Sequence, residues 1–160
     1  MTKNGILCVN DKTRVNLDPK KSDPLGINFV SHAHIDHLPS KNGGTILSSI
    51  ETSEIAELRG FTMENNVESL ENFSLIDSGH ILGARGLLFD DIFYTGDICT
   101  RNRGFLSGAK IPKCKTLITE CTFGLSEFVF PSIDEIKKQV NELISGLYGK
   151  GVPVILMGYQ

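Results

Sequence analysis

Long apolar runs are missing from this 160-residue chain. No stretch approaches the ~20 consecutive apolar residues that cross a bilayer, so no membrane segment is expected. An excess of basic charge is missing too. Sixteen Lys and Arg against 19 Asp and Glu give a formal net charge of −3, which argues against a protein that coats nucleic acid with positive charge. It leaves room for an enzyme whose positive charge is carried by bound ions. Cysteine is sparse. Cys8, Cys99, Cys114 and Cys121 show no paired spacing, which reads as free thiols in a reducing cytoplasm rather than a disulfide framework. The start, Met1-Thr2-Lys3-Asn4, leads into no signal-peptide core, so a cytoplasmic location is expected. Internal repeats and low-complexity segments are absent. Histidine is also sparse, with four in all and none after His80.

Those few histidines are concentrated. His32-Ala33-His34-Ile35-Asp36-His37 places three histidines and an aspartate in six positions, directly after the apolar run Ile27-Asn28-Phe29-Val30. A strand that ends in a ligand-rich turn is how layered α/β proteins present a site at the strand's carboxyl end. His32 and His34 are two apart, so on extended backbone they face the same way and can grip one ion. Imidazole with carboxylate and no nearby thiolate suits an open zinc, manganese or iron site rather than a closed structural zinc. The fourth histidine, His80, lies in Asp77-Ser78-Gly79-His80-Ile81-Leu82-Gly83, after a weakly alternating stretch over Phe73–Ile76. Asp97 follows Ile92-Phe93-Tyr94-Thr95-Gly96. Every histidine and two acids therefore fall just past strand-like runs.

Three of these segments, the histidine motif, Asp77 to Ala84, and Tyr94-Thr95-Gly96-Asp97-Ile98, resemble the metal-binding motifs of the metallo-β-lactamase superfamily. A fourth, Thr116 to Gly124 with Glu120-Cys121-Thr122-Phe123-Gly124, resembles the Glu-Ser/Ala-Thr-Tyr/Phe-Gly signature of its β-CASP nuclease branch. The nearest likeness within that branch is to DNA ligase-associated exonucleases and archaeal messenger-RNA 3′-end-processing-factor-like proteins, in which a strand ending in Asp-Pro precedes the motif, as Leu17-Asp18-Pro19 does here. The resemblance implies an α/β fold, the N-terminal half of a metallo-β-lactamase αββα sandwich, with a mixed sheet and flanking helices. It implies zinc, with manganese as the alternative ion. His32, His34 and His80 would hold one metal, Asp36 and His37 a second, and Asp97 would bridge. Asp36 and Glu120 are the candidate catalytic carboxylates, Glu120 orienting a ligand or shuttling a proton. The superfamily draws a further histidine for the second metal from its distal half, which this chain lacks, so one tight site at His32, His34, His80 and Asp97 is expected and the second is incomplete. The implied activity is metal-assisted hydrolysis of RNA or DNA phosphodiesters. A small-molecule hydrolase of lactamase or thioesterase type is the alternative on the same scaffold, since fold does not fix substrate. An inactive truncated fragment is a third.

Taken in order, Gly5–Val9 and Thr13–Leu17 read as a hairpin about Asn10-Asp11-Lys12. Residues 27–31 read as a strand buried on both faces. Lys41-Asn42-Gly43-Gly44 is a turn, residues 45–47 a short strand, and Ser49–Arg59 a helix ended by Gly60. Residues 73–76, 86–89 and 92–94 are strands, the last two joined by the tight pair Asp90-Asp91. Residues 115–119 read as a buried strand delivering Glu120. Ser132 to Glu135 is a capping box, and Ile133, Ile136, Val140, Leu143, Ile144 and Leu147 behind it form one apolar stripe, expected to be core. Gly149 and Gly151 end that helix, and a final strand over residues 152–157 is expected. Residues 1–130 are thus assigned to the metallo-β-lactamase part and 131–160 to a helix and strand leading toward a β-CASP region, which is absent. A sheet cut there would expose an edge, and self-association through it is expected. Arg85, Arg101 and Arg103 are the candidate contacts for a nucleic-acid backbone, because the guanidinium fork suits phosphate. Phe105 and Phe123 are the candidate stacking groups, though such residues are more often core.

Overall fold

The computed structural model describes residues 4–9, 13–41 and 43–157. The turn expected at Asn10-Asp11-Lys12, and Asn42 of the second turn, lie outside them. Two compact units are present, Met1–Glu120 and Cys121–Gln160.

The first unit is mixed α/β with two sheets. One carries five strands in the order β1 (Ile6–Val9), β2 (Arg14–Leu17), β3 (Ile27–Phe29), β4 (Thr45–Leu47) and β5 (Asn66–Val67). The β1/β2 pair is the expected hairpin and the remaining pairs are parallel. The second sheet runs β6 (Ser74–Asp77), β7 (Arg85–Phe89), β8 (Ile92–Tyr94) and β9 (Thr116–Ile118). In it β6 and β8 are both antiparallel to β7, and β9 is parallel to β8. The turn between β7 and β8 works because Asp90 and Asp91 both take positive φ, 47° and 60°. Two left-handed residues in succession match the twist of a tight hairpin, and short Asx side chains tolerate that conformation best after glycine.

Period-two alternation sorts side chains onto faces. Leu17, Phe29, Leu47 and Val67 stand in register across the first sheet. Val15, Leu17, Phe29 and Leu47 merge with Leu87, Phe89 and Tyr94 of the second sheet into one buried cluster. The opposite face of the first sheet offers Ile46, which joins Val30, Ala33, Leu38, Ala56 and Met63 in a second cluster. Ala56 comes from α1 (Ile50–Leu58), whose N-cap Ser49 accepts a hydrogen bond from Thr52 N–H. Burying a side chain the size of Phe29 or Leu17 contributes roughly 1.5–3 kcal/mol each relative to exposure.

Two expectations fail for the same physical reason. The β9 strand is not buried: it is the last strand of its sheet, and Leu117 is 47% exposed. In the second unit, α2 (Ile133–Tyr148) has the expected capping box on Ser132 and Glu135, yet none of its residues is buried, and Leu143 is 63% exposed. An apolar stripe becomes core only where another surface covers it, and capping forms a helix without supplying that cover. Residues 152–157 have no regular structure, contrary to the expected strand. A strand needs a partner for its backbone groups, and none is provided there by the described residues.

Candidate metal centre

Five strands in the first unit hand over to site residues at their carboxyl ends: β2 to Asp18, β3 to His32, β6 to His80, β8 to Asp97 and β9 to Glu120. Parallel pairing aligns β2 with β3 and β8 with β9, and β6 shares the direction of β8. The ends therefore meet at one edge of the fold. Past β3 the chain stays extended to His34 (φ −69°, ψ 145°), which opens a 3₁₀ turn, Ile35–His37, without capping it through its ring. The His80 loop is fixed from two sides. Ser49 and Thr52 hydroxyls of α1 both donate to the Gly83 carbonyl, at 2.6 and 3.0 Å. Gly79, at φ +67°, lies so close to the Cys99 carbonyl that a Cβ there would collide with it. Gly96, at φ +56°, presses against Ser31 in the same way, a Cβ falling 2.6 Å from that of Ser31. Only glycine lets the Asp97 turn approach the histidine loop this closely.

The outcome is a convergent group. His32, His34, His80 and Asp97 each offer a ligand atom, all within 4.8 Å of one another, and the group could hold a metal ion. His34 Nδ1 is 3.0 Å from His32 Nε2 and 3.2 Å from His80 Nε2. Asp97 Oδ2 is 3.4 Å from His80 Nε2 and 3.7 Å from His32 Nε2. Ligand atoms 2.0–2.1 Å from one tetrahedral ion would lie roughly 3.3–3.4 Å apart, so the donor set and its edges fit a zinc-like cation. Asp97 Oδ1 turns the other way, 3.5 Å from His37 Nε2, and Asp36 Oδ2 is 3.7 Å from the same nitrogen. Asp36 is otherwise exposed, its side chain 83% accessible.

Tautomers are set by Asp18, which the sequence marks only as part of the Leu17-Asp18-Pro19 strand end. Asp18, at φ +42°, accepts from the Ser31 backbone N–H on Oδ1 at 2.7 Å and from the Ser31 hydroxyl on Oδ2 at 2.6 Å. With its proton committed to Asp18, Ser31 Oγ can only accept from His32 Nδ1, 2.9 Å away. The Nε2 lone pair of His32 is then directed into the cluster. Asp18 Oδ2 also accepts from His37 Nδ1 at 2.8 Å, which directs the Nε2 of His37 toward Asp97. Tyr94 O–H donates to the same oxygen at 2.8 Å. Burial, then the Asp18 charge, raises the Tyr94 phenol above its ordinary value, so it remains a donor. The available signal was an aspartate directly after an apolar strand, the same placement as Asp97.

Three of the histidines are held in the neutral form that a metal needs. Burial lowers His32 to about 2, helped by the neighbouring histidines and Arg59. Burial and then Arg59 lower His34, and burial lowers His80 against the opposing pull of Asp97. His37 behaves oppositely: burial lowers it, but the hydrogen bond and charge of Asp18 outweigh that, and its value is raised.

The remaining expected residues are placed as follows. Glu120 Oε1 accepts from Ile98 N–H at 2.8 Å and so braces the turn that carries Asp97. Asp77, which opens the His80 segment, pairs with Arg85 at 2.7 Å. Glu51 lies 3.8 Å from the same guanidinium, so two carboxylates face Arg85. Arg103 lies beside the centre, its Nη2 donating to the carbonyls of Gly79 and His80. Arg101 is exposed in the same loop. Phe105 and Phe123 are exposed rather than core. Phe123 packs edge-on to Phe128 and Phe130, with ring centroids 5.5 and 5.1 Å away. Arg59 was missed altogether, and nothing in the sequence around it signals the site.

Among the described residues no helix is long and apolar enough to cross a membrane. A probable DNA ligase of Opitutus terrae (strain DSM 11246 / JCM 15787 / PB90-1) is 27% identical over 151 residues, which cover 86% of this chain and 15% of that protein. No family model matches the chain.

Proposed function

We propose that this chain carries the metal centre of a metallo-β-lactamase-type nuclease of the β-CASP branch, acting on RNA or single-stranded DNA. The observation that carries the reading is the convergence of three imidazole nitrogens on Asp97 Oδ2 while Asp97 Oδ1 faces His37. One carboxylate addressing two nitrogen groups is what a bridging ligand between neighbouring ions requires. In this reading His32, His34 and His80 hold the first cation, Asp36 and His37 a weaker second, and residues 1–130 form the first part of the αββα sandwich, with 131–160 leading on from it. A bound zinc or manganese ion would supply Lewis acidity toward a phosphoryl oxygen and lower the pKa of water.

The protein's own groups do the rest. Asp18 holds two imidazoles in the tautomer that points a lone pair inward. Glu120 fixes the Asp97 turn through Ile98. Arg103, anchored to the His80 loop, offers its remaining donors to a phosphate, with Arg101 beside it in sequence. The similarity to a protein named as a probable DNA ligase supports a nucleic-acid substrate, and since the chain spans only 15% of that protein, the reaction of any larger protein is part of the proposal.

The test is a Zn²⁺ and Mn²⁺ titration with labelled single-stranded RNA, single-stranded DNA and nitrocefin. Metal-dependent cleavage of either polymer is expected, abolished by Asp97→Ala. Lactam hydrolysis with both polymers intact would replace the nuclease reading by the small-molecule one.

A further inference from the structure

Arg59 follows the last turn of α1. Its backbone N–H closes the helix on the Ile55 and Ala56 carbonyls, at 3.1 and 3.0 Å, and Gly60 at φ +83° then turns the chain away. The origin of the side chain is thereby fixed. From there Nη1 donates to the carbonyl of Ala33 at 2.6 Å, the residue between His32 and His34. Its charge is felt at both histidines, second only to burial at His34. Among the described residues no carboxylate pairs with Arg59, whereas Arg14 pairs with Asp23 and Arg85 with Asp77.

A guanidinium is an unfavourable neighbour for a cation site. It is always charged, so it repels the ion that the histidines and Asp97 would hold. Holding one backbone carbonyl does not require it, since a neutral amide could do the same. One carbonyl also occupies a single donor of five. The arrangement becomes favourable once an anion lies against both the cation and the guanidinium. A phosphate fits best, because two of its oxygens match the guanidinium fork. The other ligand loop repeats the pattern: Arg103 is tethered to carbonyls beside His80 as Arg59 is tethered beside His32 and His34.

We infer that Arg59 is a substrate-phosphate contact of the metal centre, taking a non-bridging oxygen beside the His32–His34 loop. The inference rests on the nuclease reading for its substrate, and its role is binding and positioning, since a guanidinium moves no proton at ordinary pH.

The discriminating variants are Arg59→Gln, which keeps a donor for Ala33 but removes the charge, and Arg59→Lys, which keeps the charge but loses the fork. Each Zn²⁺-loaded protein is titrated with a fluorescein-labelled single-stranded 12-mer across a salt series, and separately with inorganic phosphate by calorimetry. Zn²⁺ affinity is measured alongside. For Arg59→Gln, affinity for the oligonucleotide falls about tenfold and the salt slope drops by about 0.7, one single-strand phosphate's share. Phosphate affinity falls too, and Zn²⁺ binding is unchanged or tighter because a repelling charge has gone. Arg59→Lys keeps the salt slope with weaker binding. Arg59→Gln within twofold of wild type on both probes overturns the inference. So does a tenfold loss of Zn²⁺ affinity in that variant, which would make Arg59 a clamp on the loop. If wild type binds phosphate but no oligonucleotide, the nuclease reading falls, and the phosphate comparison alone decides Arg59: weaker binding by the variant supports it, equal binding overturns it. Wild type binding neither probe overturns it as well.

Discussion

The two units of this chain are made of similar residues and behave differently. In Met1–Glu120 short strands of two to five residues with few local signals are nonetheless fixed, because Leu17, Phe29, Leu47 and Leu87 bury one another almost completely. In Cys121–Gln160 the 16-residue α2 has strong local signals, a reciprocal capping box and acidic residues in its first turn, and buries nothing. Local signals decide which element forms. Burial decides whether that element is held in place, and all residues of the candidate centre lie in the unit that has it.

The comparison is broken most directly by a pair of truncations. Phe29→Ala removes a fully buried ring and is expected to cost ~4 kcal/mol in denaturant unfolding. Leu143→Ala, on the exposed stripe, is expected to stay within ~0.5 kcal/mol. A Leu143 cost of 2 kcal/mol or more would mean that α2 is covered in solution, by self-association or another partner, and light scattering would then show the larger species.

A smaller effect sharpens the same contrast through chemistry. Asp18→Asn leaves the packing volume unchanged but weakens the hold on the His32 and His37 tautomers. Zn²⁺ affinity should fall about 10- to 100-fold, the usual range for outer partners of metal-bound histidines, while the helical circular dichroism from α2 stays the same. Unchanged Zn²⁺ affinity in calorimetry would remove Asp18 from the account.

The smallest expected effect is that of mild acid on the metal-free protein. His32, His34 and His80 have folded-state values below the ordinary 6.5. Below that pH the unfolded chain takes up protons that the folded chain refuses, so stability falls as pH drops from 7 toward 5. His37 has a raised folded value, so its contribution is fully present below 6.5 and is lost as pH rises through the raised value above it; it offsets one of the three. In the second unit Glu135 has a lowered value from its bonds to Ser132, so its contribution is lost only below the ordinary carboxylate range. Hydrogen exchange at pH 7 and pH 5 should therefore show β3 loosening while α2 is unaffected. Loosening of α2 alone would reverse the assignment.

How far the sequence was legible follows the same division. The histidine motif, the Asp97 turn and the Ser132 box are short-range patterns whose meaning does not depend on the rest of the chain. Asp18 acts on Ser31 thirteen residues away, and Arg59 on Ala33 across twenty-six, so their roles exist only once the strands have been brought together. The exposure of Leu117 and Leu143 was illegible for the converse reason: periodicity marks a face that would gain from cover, and says nothing of whether cover is there.

Tyr94 joins two things that are usually separable. Its ring sits edge-on to Phe29, centroids 6.1 Å apart, in the filling between the sheets, and its hydroxyl ends on the carboxylate that orients His32 and His37. The interior packing and the proton placement at the rim are thus one mechanical assembly. Drift in the greasy layer would be transmitted to the imidazoles, and a lineage that repacked this interior would have to retune its chemistry at the same time.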